Sequence, residues 1–221
     1  MTTGSTITGL VAEMHAAAAA GPPNEVMAVF SREQAELAAF GVPAGVAGVG
    51  SEIWDASLLD VDGSPTTLYA ATGGGAAVLV FYRGVWCPYC NIALSAYQRH
   101  LLPRLAERGI RLVAISPQRP DGSLSMQQKH DLSFTVVSDP GNVIARRLGI
   151  LTHPSDAARQ AQLQLGLDLT TANADGTVAL PMPTVVVLDA SYKVRWIGVH
   201  PDYSTRSEPQ QILEAIDHLG L

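Results

Sequence analysis

Positive charge is scarce in this chain: 14 Lys and Arg stand against 20 Asp and Glu in 221 residues, a formal charge of -6. Nothing resembles the Lys/Arg stripe that nucleic-acid binding needs, so no such partner is expected. Long hydrophobic runs are missing as well. None approaches the ~20 apolar residues of a membrane span, which excludes a membrane partner from the expectations. No Lys or Arg precedes Arg32, and the alanine-rich stretch 16–20 is too short and too weakly apolar for the core of a secretory signal. These absences point to a cytoplasmic protein. Cysteine is nearly absent, with only Cys87 and Cys90. Two cysteines this close do not make the spread framework of a disulfide scaffold, and closing so short a loop stabilises a fold little. The pair therefore reads as chemistry, against the competing reading of a buried structural pair. Half of a zinc site is disfavoured, because none of the six histidines falls in a paired His-x(3–5)-His spacing. A c-type haem attachment would need His at position 91, where Asn91 stands. No metal or other cofactor is expected.

What is present is core: 47% of the residues are apolar, and the length suits one domain with elaborations. Residues 1–44 read as a helical extension. Leu10, Val11 and Met14 begin an apolar stripe that Gly21-Pro22-Pro23 breaks. A second helix spans about 24–40, with Val26, Met27, Phe30 and Leu37 on one face and Gly41 and Pro43 at its end. The main domain is expected over 45–221. It begins with a strand turning at Asp62-Gly63. Val78-Leu79-Val80-Phe81-Tyr82 has the continuous apolar character of a strand buried on both faces. The loop Arg83-Gly84-Val85-Trp86-Cys87-Pro88-Tyr89-Cys90 leads into a helix to about 108, kinked at Pro103 and closed by Gly109, and a second buried strand follows at 111–116. Such a βαβ unit is right-handed and parallel in nearly all cases. It places the cysteines at the carboxyl end of a strand and the amino end of a helix, where open α/β sheets hold their sites. Further on, a strand is expected at 134–137 and a short helix at 142–148. Residues 151–180 read as an insertion with a helix at 155–165. A hairpin follows at 184–199, and Ser207 caps a last helix with Pro209 in its first turn.

The Cys-x-x-Cys site carries the chemical argument. Only a thiolate attacks, and a free cysteine with a pKa near ~8.5 is mostly protonated at neutral pH. The helix N-terminus offers partial positive charge, Arg83 offers a full one, and Pro88 stiffens the loop without an N–H to satisfy. One sulfur can attack and the other resolve. Trp86 either shields the site or packs as core, and Tyr89 is expected to be exposed to a partner thiol protein. Arg206 receives no firm role from its place in the chain, and each histidine reads as packing or surface.

The run from Phe81 to Asn91, with Ala114-Ile115-Ser116-Pro117-Gln118, Leu132-Ser133-Phe134, Ser138-Asp139, Met182-Pro183-Thr184 and Asp202-Tyr203, resembles the peroxiredoxin-like branch of the alkyl hydroperoxide reductase / thiol-specific antioxidant family. The resemblance covers about residue 45 to the C-terminus. It implies a thioredoxin-like α/β fold, in which a cis proline at Pro183, followed by Thr184, faces the disulfide. It implies a thiol peroxidase acting on hydrogen peroxide or organic hydroperoxides, with thioredoxin or a similar thiol as reductant. A homodimer is a further possible partnership. Laying the Pro-x-x-x-Thr/Ser-x-x-Cys motif of typical members on this loop makes Cys90 peroxidatic, with Cys87 at the Thr/Ser position and Arg83 at the proline. No arginine accompanies Met182-Pro183-Thr184, where such members carry one on a later strand region. Two role assignments stay open. In the peroxiredoxin reading Cys90 attacks and Cys87 resolves; in the thioredoxin reading Cys87 attacks. The alternative functions are a protein disulfide oxidoreductase and a non-enzymatic redox sensor.

Overall fold

The computed structural model describes residues 6–221. Its centre is a seven-stranded sheet of order β2-β1-β5-β4-β3-β8-β9. The central strand β3 (Ala77–Phe81) is buried at every position, as its unbroken apolar run predicts. It pairs in parallel with β4 (Arg111–Ser116) and antiparallel with β8 (Thr184–Leu188). β5 (Thr135–Ser138) extends the sheet in parallel beyond β4. The hairpin of β1 (Ser57–Leu59) and β2 (Pro65–Thr67) closes one edge, and β9 (Val194–Val199) closes the other. This is the mixed α/β arrangement expected of a thioredoxin-like fold.

Strand alternation divides the core in two. Val78, Val80 and Tyr82 face one side with Leu112 and Ala114, whereas Leu79 and Phe81 face the other with Val113 and Ile115. The second face is covered by α3 (Leu68–Thr72) and α7 (Val143–Arg147). The first face carries α4 (Pro88–Ala96), which continues through a π-helical turn at Tyr97–Leu101 into α5 (Leu102–Ala106). The irregular turn lies just before Pro103, where a missing N–H and ring clash break the regular ladder. α6 (Pro120–Lys129) follows β4, and α10 (Pro209–Leu219) packs on the π-helical turn. The cap of α10 differs from expectation. Ser207 Oγ is hydrogen-bonded with His200 Nε2 at 3.0 Å, and Glu208 instead forms a capping box with Gln211.

The N-terminal helices form as the sequence predicts and lie on the body of the chain. In α1 (Ile7–Ala19), Ile7 and Val11 are buried against the α4 side of the core. The Glu208 carboxylate accepts the N–H groups of Ile7 and Thr8 at 2.9 and 2.8 Å, so one side chain caps α1 and begins α10. α2 (Glu25–Phe40) starts at Asn24, whose side chain accepts from Val26 and Met27 N–H, and stops at Gly41 with φ 75°. It packs on α8 (Asp156–Gln164), the helix expected in the 151–180 segment. That segment also contains α9 (Leu169–Ala172) and the two-residue strands β6 (Leu151–Thr152) and β7 (Leu180–Pro181). None of those three was expected.

Candidate active site

Cys87 is the N-cap of α4 and Pro88 its first helical residue, which wastes no N–H. The backbone N–H groups of Cys90 and Asn91 both bond the Cys87 carbonyl, so the two cysteines are held across one turn. The preceding loop is fixed from several sides. Gln118 Oε1 accepts the Val85 N–H at 2.9 Å while its Nε2 donates to Tyr82 Oη at 3.0 Å. Asn91 Nδ2 donates to the Val85 carbonyl at 3.1 Å. Gly84 has φ 155°, and a Cβ there would run into Trp86 Nε1, so the tryptophan ring packs on bare backbone.

Both thiols are unpaired and buried, Cys87 1% and Cys90 0% exposed. Cys90 Sγ accepts from Arg206 Nη2 at 3.1 Å and from the Arg83 N–H at 3.4 Å; Arg206 Nη2 is 4.0 Å from Cys87 Sγ. Burial by itself would push the Cys90 thiol up. The Cys87 S–H bond, the charge of Arg206, and the N–H and charge of Arg83 outweigh it and bring Cys90 well below the usual thiol range. Burial and the neighbouring Cys90 sulfur hold Cys87 well above that range. The surrounding donors thus favour negative charge on Cys90 over Cys87.

Arg206, to which the sequence gives no firm role, reaches the site and is the nearest charge to Cys90 Sγ. Its Nη1 donates to the carbonyls of Tyr203 and Thr205 at 2.7 and 2.6 Å, and Tyr97 Oη holds the adjacent Ser207 carbonyl at 2.7 Å. The one available signal was its position three residues after Tyr203. Arg83 is where it was expected, though it acts on Cys90 through its charge and its backbone N–H. Its buried guanidinium lies 3.8 Å from the Tyr203 ring centroid and 5.0 Å from that of Trp86. Tyr203 in turn donates to Glu33 Oε2 at 3.0 Å, and Glu33 Oε1 accepts the Ser155 N–H at 2.7 Å. Through Glu33, α2 is tied both to the start of α8 and to the aromatic partner of Arg83.

Two expectations are corrected. Tyr89 is 9% exposed rather than open to solvent, because α1 and α2 cover it: His15 Nε2 and Gln34 Nε2 meet its hydroxyl at 2.9 and 3.1 Å. The bond before Pro183 is trans, since no cis peptide occurs among the described residues. The trans chain is already satisfied there, with the Pro183 carbonyl accepting from His200 N–H at 2.9 Å and Met182 O from Thr184 Oγ1 at 2.9 Å. Thr184 therefore spends its hydroxyl on its own turn and not on the sulfurs. His200 is one of the packing histidines that the sequence reading allowed. Its ring nitrogens meet Thr205 Oγ1 and Ser207 Oγ at 2.9 and 3.0 Å, and burial, with Arg206 nearby, lowers its pKa to about 4.

A cavity of about 360 Å³ lies beside Cys87, with Trp86 and Tyr89 also in its wall. Among the described residues no cluster of His, Cys, Asp or Glu could hold a metal ion, and no helix is long and apolar enough to cross a membrane.

The chain is similar to several known proteins. A thiol-disulfide oxidoreductase ResA of Bacillus thuringiensis subsp. konkukian is 26% identical over 108 residues, covering 48% of this chain and 61% of the relative. The chain thus matches about three-fifths of that relative's length. A putative peroxiredoxin bcp of Coxiella burnetii is 26% identical over 116 residues, covering 52% of this chain and 74% of its own. The crystal structure of peroxidoxin BcpB from Mycobacterium tuberculosis superposes with a TM-score of 0.58 at 19% identity, covering 78% of this chain and 96% of that one, which speaks to fold. The model of the AhpC/TSA family matches residues 49–197, a span that holds both cysteines and the sheet from β1 to most of β9. On that match over most of its length, the chain belongs to the AhpC/TSA family.

Proposed function

We propose that this protein is a thiol-dependent peroxidase that cycles Cys87 and Cys90 between dithiol and disulfide. The observation that carries the reading is the Arg206 guanidinium 3.1 Å from Cys90 Sγ, with the Arg83 N–H beside it. Donors fixed around a buried sulfur keep it as thiolate, and the same donors can stabilise charge developing on a peroxide oxygen. Membership of the AhpC/TSA family supports the assignment.

The Cys90 thiolate attacks the terminal oxygen of ROOH. The S–O bond forms, the O–O bond breaks, and the departing RO⁻ takes the Cys87 proton to leave as ROH. The Cys87 thiolate so formed attacks the sulfur of Cys90–SOH, forming the S–S bond and releasing hydroxide, which solvent protonates. An external dithiol, thioredoxin or a similar protein, then supplies two electrons and two protons and is itself oxidised. Such a cycle belongs in a compartment that keeps thiols reduced, such as the cytoplasm. The test is turnover: hydrogen peroxide consumed many times per enzyme while a dithiol reductant is spent in equal amount.

One observation favours a second reading. Cys87, not Cys90, lines the cavity, which suits a protein disulfide oxidoreductase whose Cys87 meets the substrate disulfide. Reduction of insulin without peroxide turnover would select that reading. Neither activity would leave a redox sensor.

A further inference from the structure

We infer that the cavity beside Cys87 binds an apolar monocarboxylate, an aryl or medium-chain alkyl acid whose carboxylate pairs with Arg83, and that its occupancy is linked to negative charge on Cys90. The ligand is not consumed, and the inference stands apart from the peroxidase reading.

Arg83 supplies the anion-binding half of the site. It is 5% exposed and stands in the cavity wall together with Tyr203, whose ring its guanidinium covers. A guanidinium keeps its charge in any protein setting and carries five N–H donors. Among the described residues, none of those five meets an acceptor, and no carboxylate lies within ion-pair distance of them. The hydrogen bond Arg83 does make, to Cys90 Sγ, comes from its backbone N–H. Glu33 is engaged elsewhere, by Tyr203 Oη and the Ser155 N–H. Buried charges are ordinarily paired or hydrogen-bonded, and this one has ring faces only. A carboxylate presents two oxygens in the geometry that such a fork accepts.

The other walls define the body of the ligand. Met14 of α1, Met27 and Phe30 of α2, and Leu165 and Leu167 beyond α8 line a chamber of about 360 Å³. A dry cavity of about 150 Å³ takes benzene, so a ring with a short chain fits here. The polar groups His15 and Gln34 already meet Tyr89 Oη. Phosphate would lose its hydration against these walls, whereas a hydrocarbon body gains from them. α1 and α2 lie outside the family match of 49–197, so the N-terminal helices make this site and the family core does not.

Arg83 also acts on the dithiol, since its charge and its N–H both help to lower the Cys90 thiol. A carboxylate on the guanidinium offsets that charge and opposes the thiolate. By reciprocity, the thiolate opposes binding. Cys90 is not part of the cavity wall, so the coupling runs through charge and not through contact.

The test is titration calorimetry of the full-length reduced protein with 4-phenylbutyrate, its neutral amide 4-phenylbutyramide, and inorganic phosphate. The acid should bind at least about tenfold more tightly than the amide, the scale of a hydrogen bond to a charged group. Phosphate should not bind. Arg83→Gln should erase the preference for acid over amide, and Arg83→Lys should keep part of it. Ala18→Phe, which fills the chamber from the exposed side of α1, should weaken acid and amide alike. This variant and Arg83→Lys carry the test if Arg83→Gln does not fold. Cys90→Ser should tighten the acid about fivefold, the low end of coupling between sites, and leave the amide unchanged. Equal binding of acid and amide, binding of neither, or phosphate binding as tight as the acid would overturn the site. So would an acid preference that Arg83→Lys leaves intact with an affinity that Ala18→Phe leaves intact. Equal affinity of wild type and Cys90→Ser for the acid would overturn the linkage.

Discussion

Arg206 and Cys90 are separated by 116 residues in the chain and by 3.1 Å in the fold. The contact joins the loop before α10 to the first turn of α4 and, with the Cys87 S–H bond, favours the Cys90 thiolate.

Replacing Arg206 with Gln therefore raises the Cys90 pKa toward the ordinary thiol value and slows reaction with peroxide. Loss of one such donor typically costs about 10²–10³ in rate. Lys at this position keeps the charge without the planar fork and gives an intermediate result. Thiolate absorbance against pH reads the shift directly. In the wild type the depressed pKa also favours folding above the usual thiol range, an effect that fades as pH falls through the depressed value. Arg206→Gln should lose that pH dependence.

His200 binds the hydroxyls of Thr205 and Ser207, which flank Arg206. Its folded pKa of about 4 lies below the ordinary 6.5, so the unfolded chain takes up the proton first. Stability is then complete above about 6.5 and declines as pH falls toward 4, by at most about 3 kcal/mol. Urea unfolding between those values should show this slope in the wild type and a flatter one in His200→Gln. The same acid range should weaken the hold on Arg206 and slow the peroxide reaction.

Glu208 caps the start of α1 through the N–H groups of Ile7 and Thr8 and also begins α10. A carboxylate there meets the positive end of a helix as well as its unpaired donors. Glu208→Ala should cost about 1–3 kcal/mol. Hydrogen exchange in α1 should rise more than in β3, because α1 loses its tether while the central strand keeps its neighbours.

The parts of this fold that were legible from sequence depend on local patterns. The unbroken run Val78–Tyr82, written in the chain as 78–82, could only be a strand covered on both faces, and Asn24 and Gly41 mark the ends of α2 by capping chemistry. The Cys-x-x-Cys turn gave the location of the site for the same reason. What was not legible depends on distant chain segments meeting. Arg206 carries no local sign of its partner. Tyr89 looks exposed between two loop cysteines until α1 and α2 are seen to cover it. Ser207 has the right chemistry for a cap, but His200 claims its hydroxyl. The two-residue strands β6 and β7 are too short to show any periodicity.

The central claim is that Cys90 is the attacking thiolate and Cys87 the resolving thiol. Its most direct test is the rate at which fully reduced protein reacts with hydrogen peroxide, followed by tryptophan fluorescence, for the wild type, Cys87→Ser and Cys90→Ser. Wild type and Cys87→Ser should react orders of magnitude faster than a free thiol, while Cys90→Ser does not. Fast reaction in Cys90→Ser, or no reaction above the free-thiol rate in any of the three, would contradict the account.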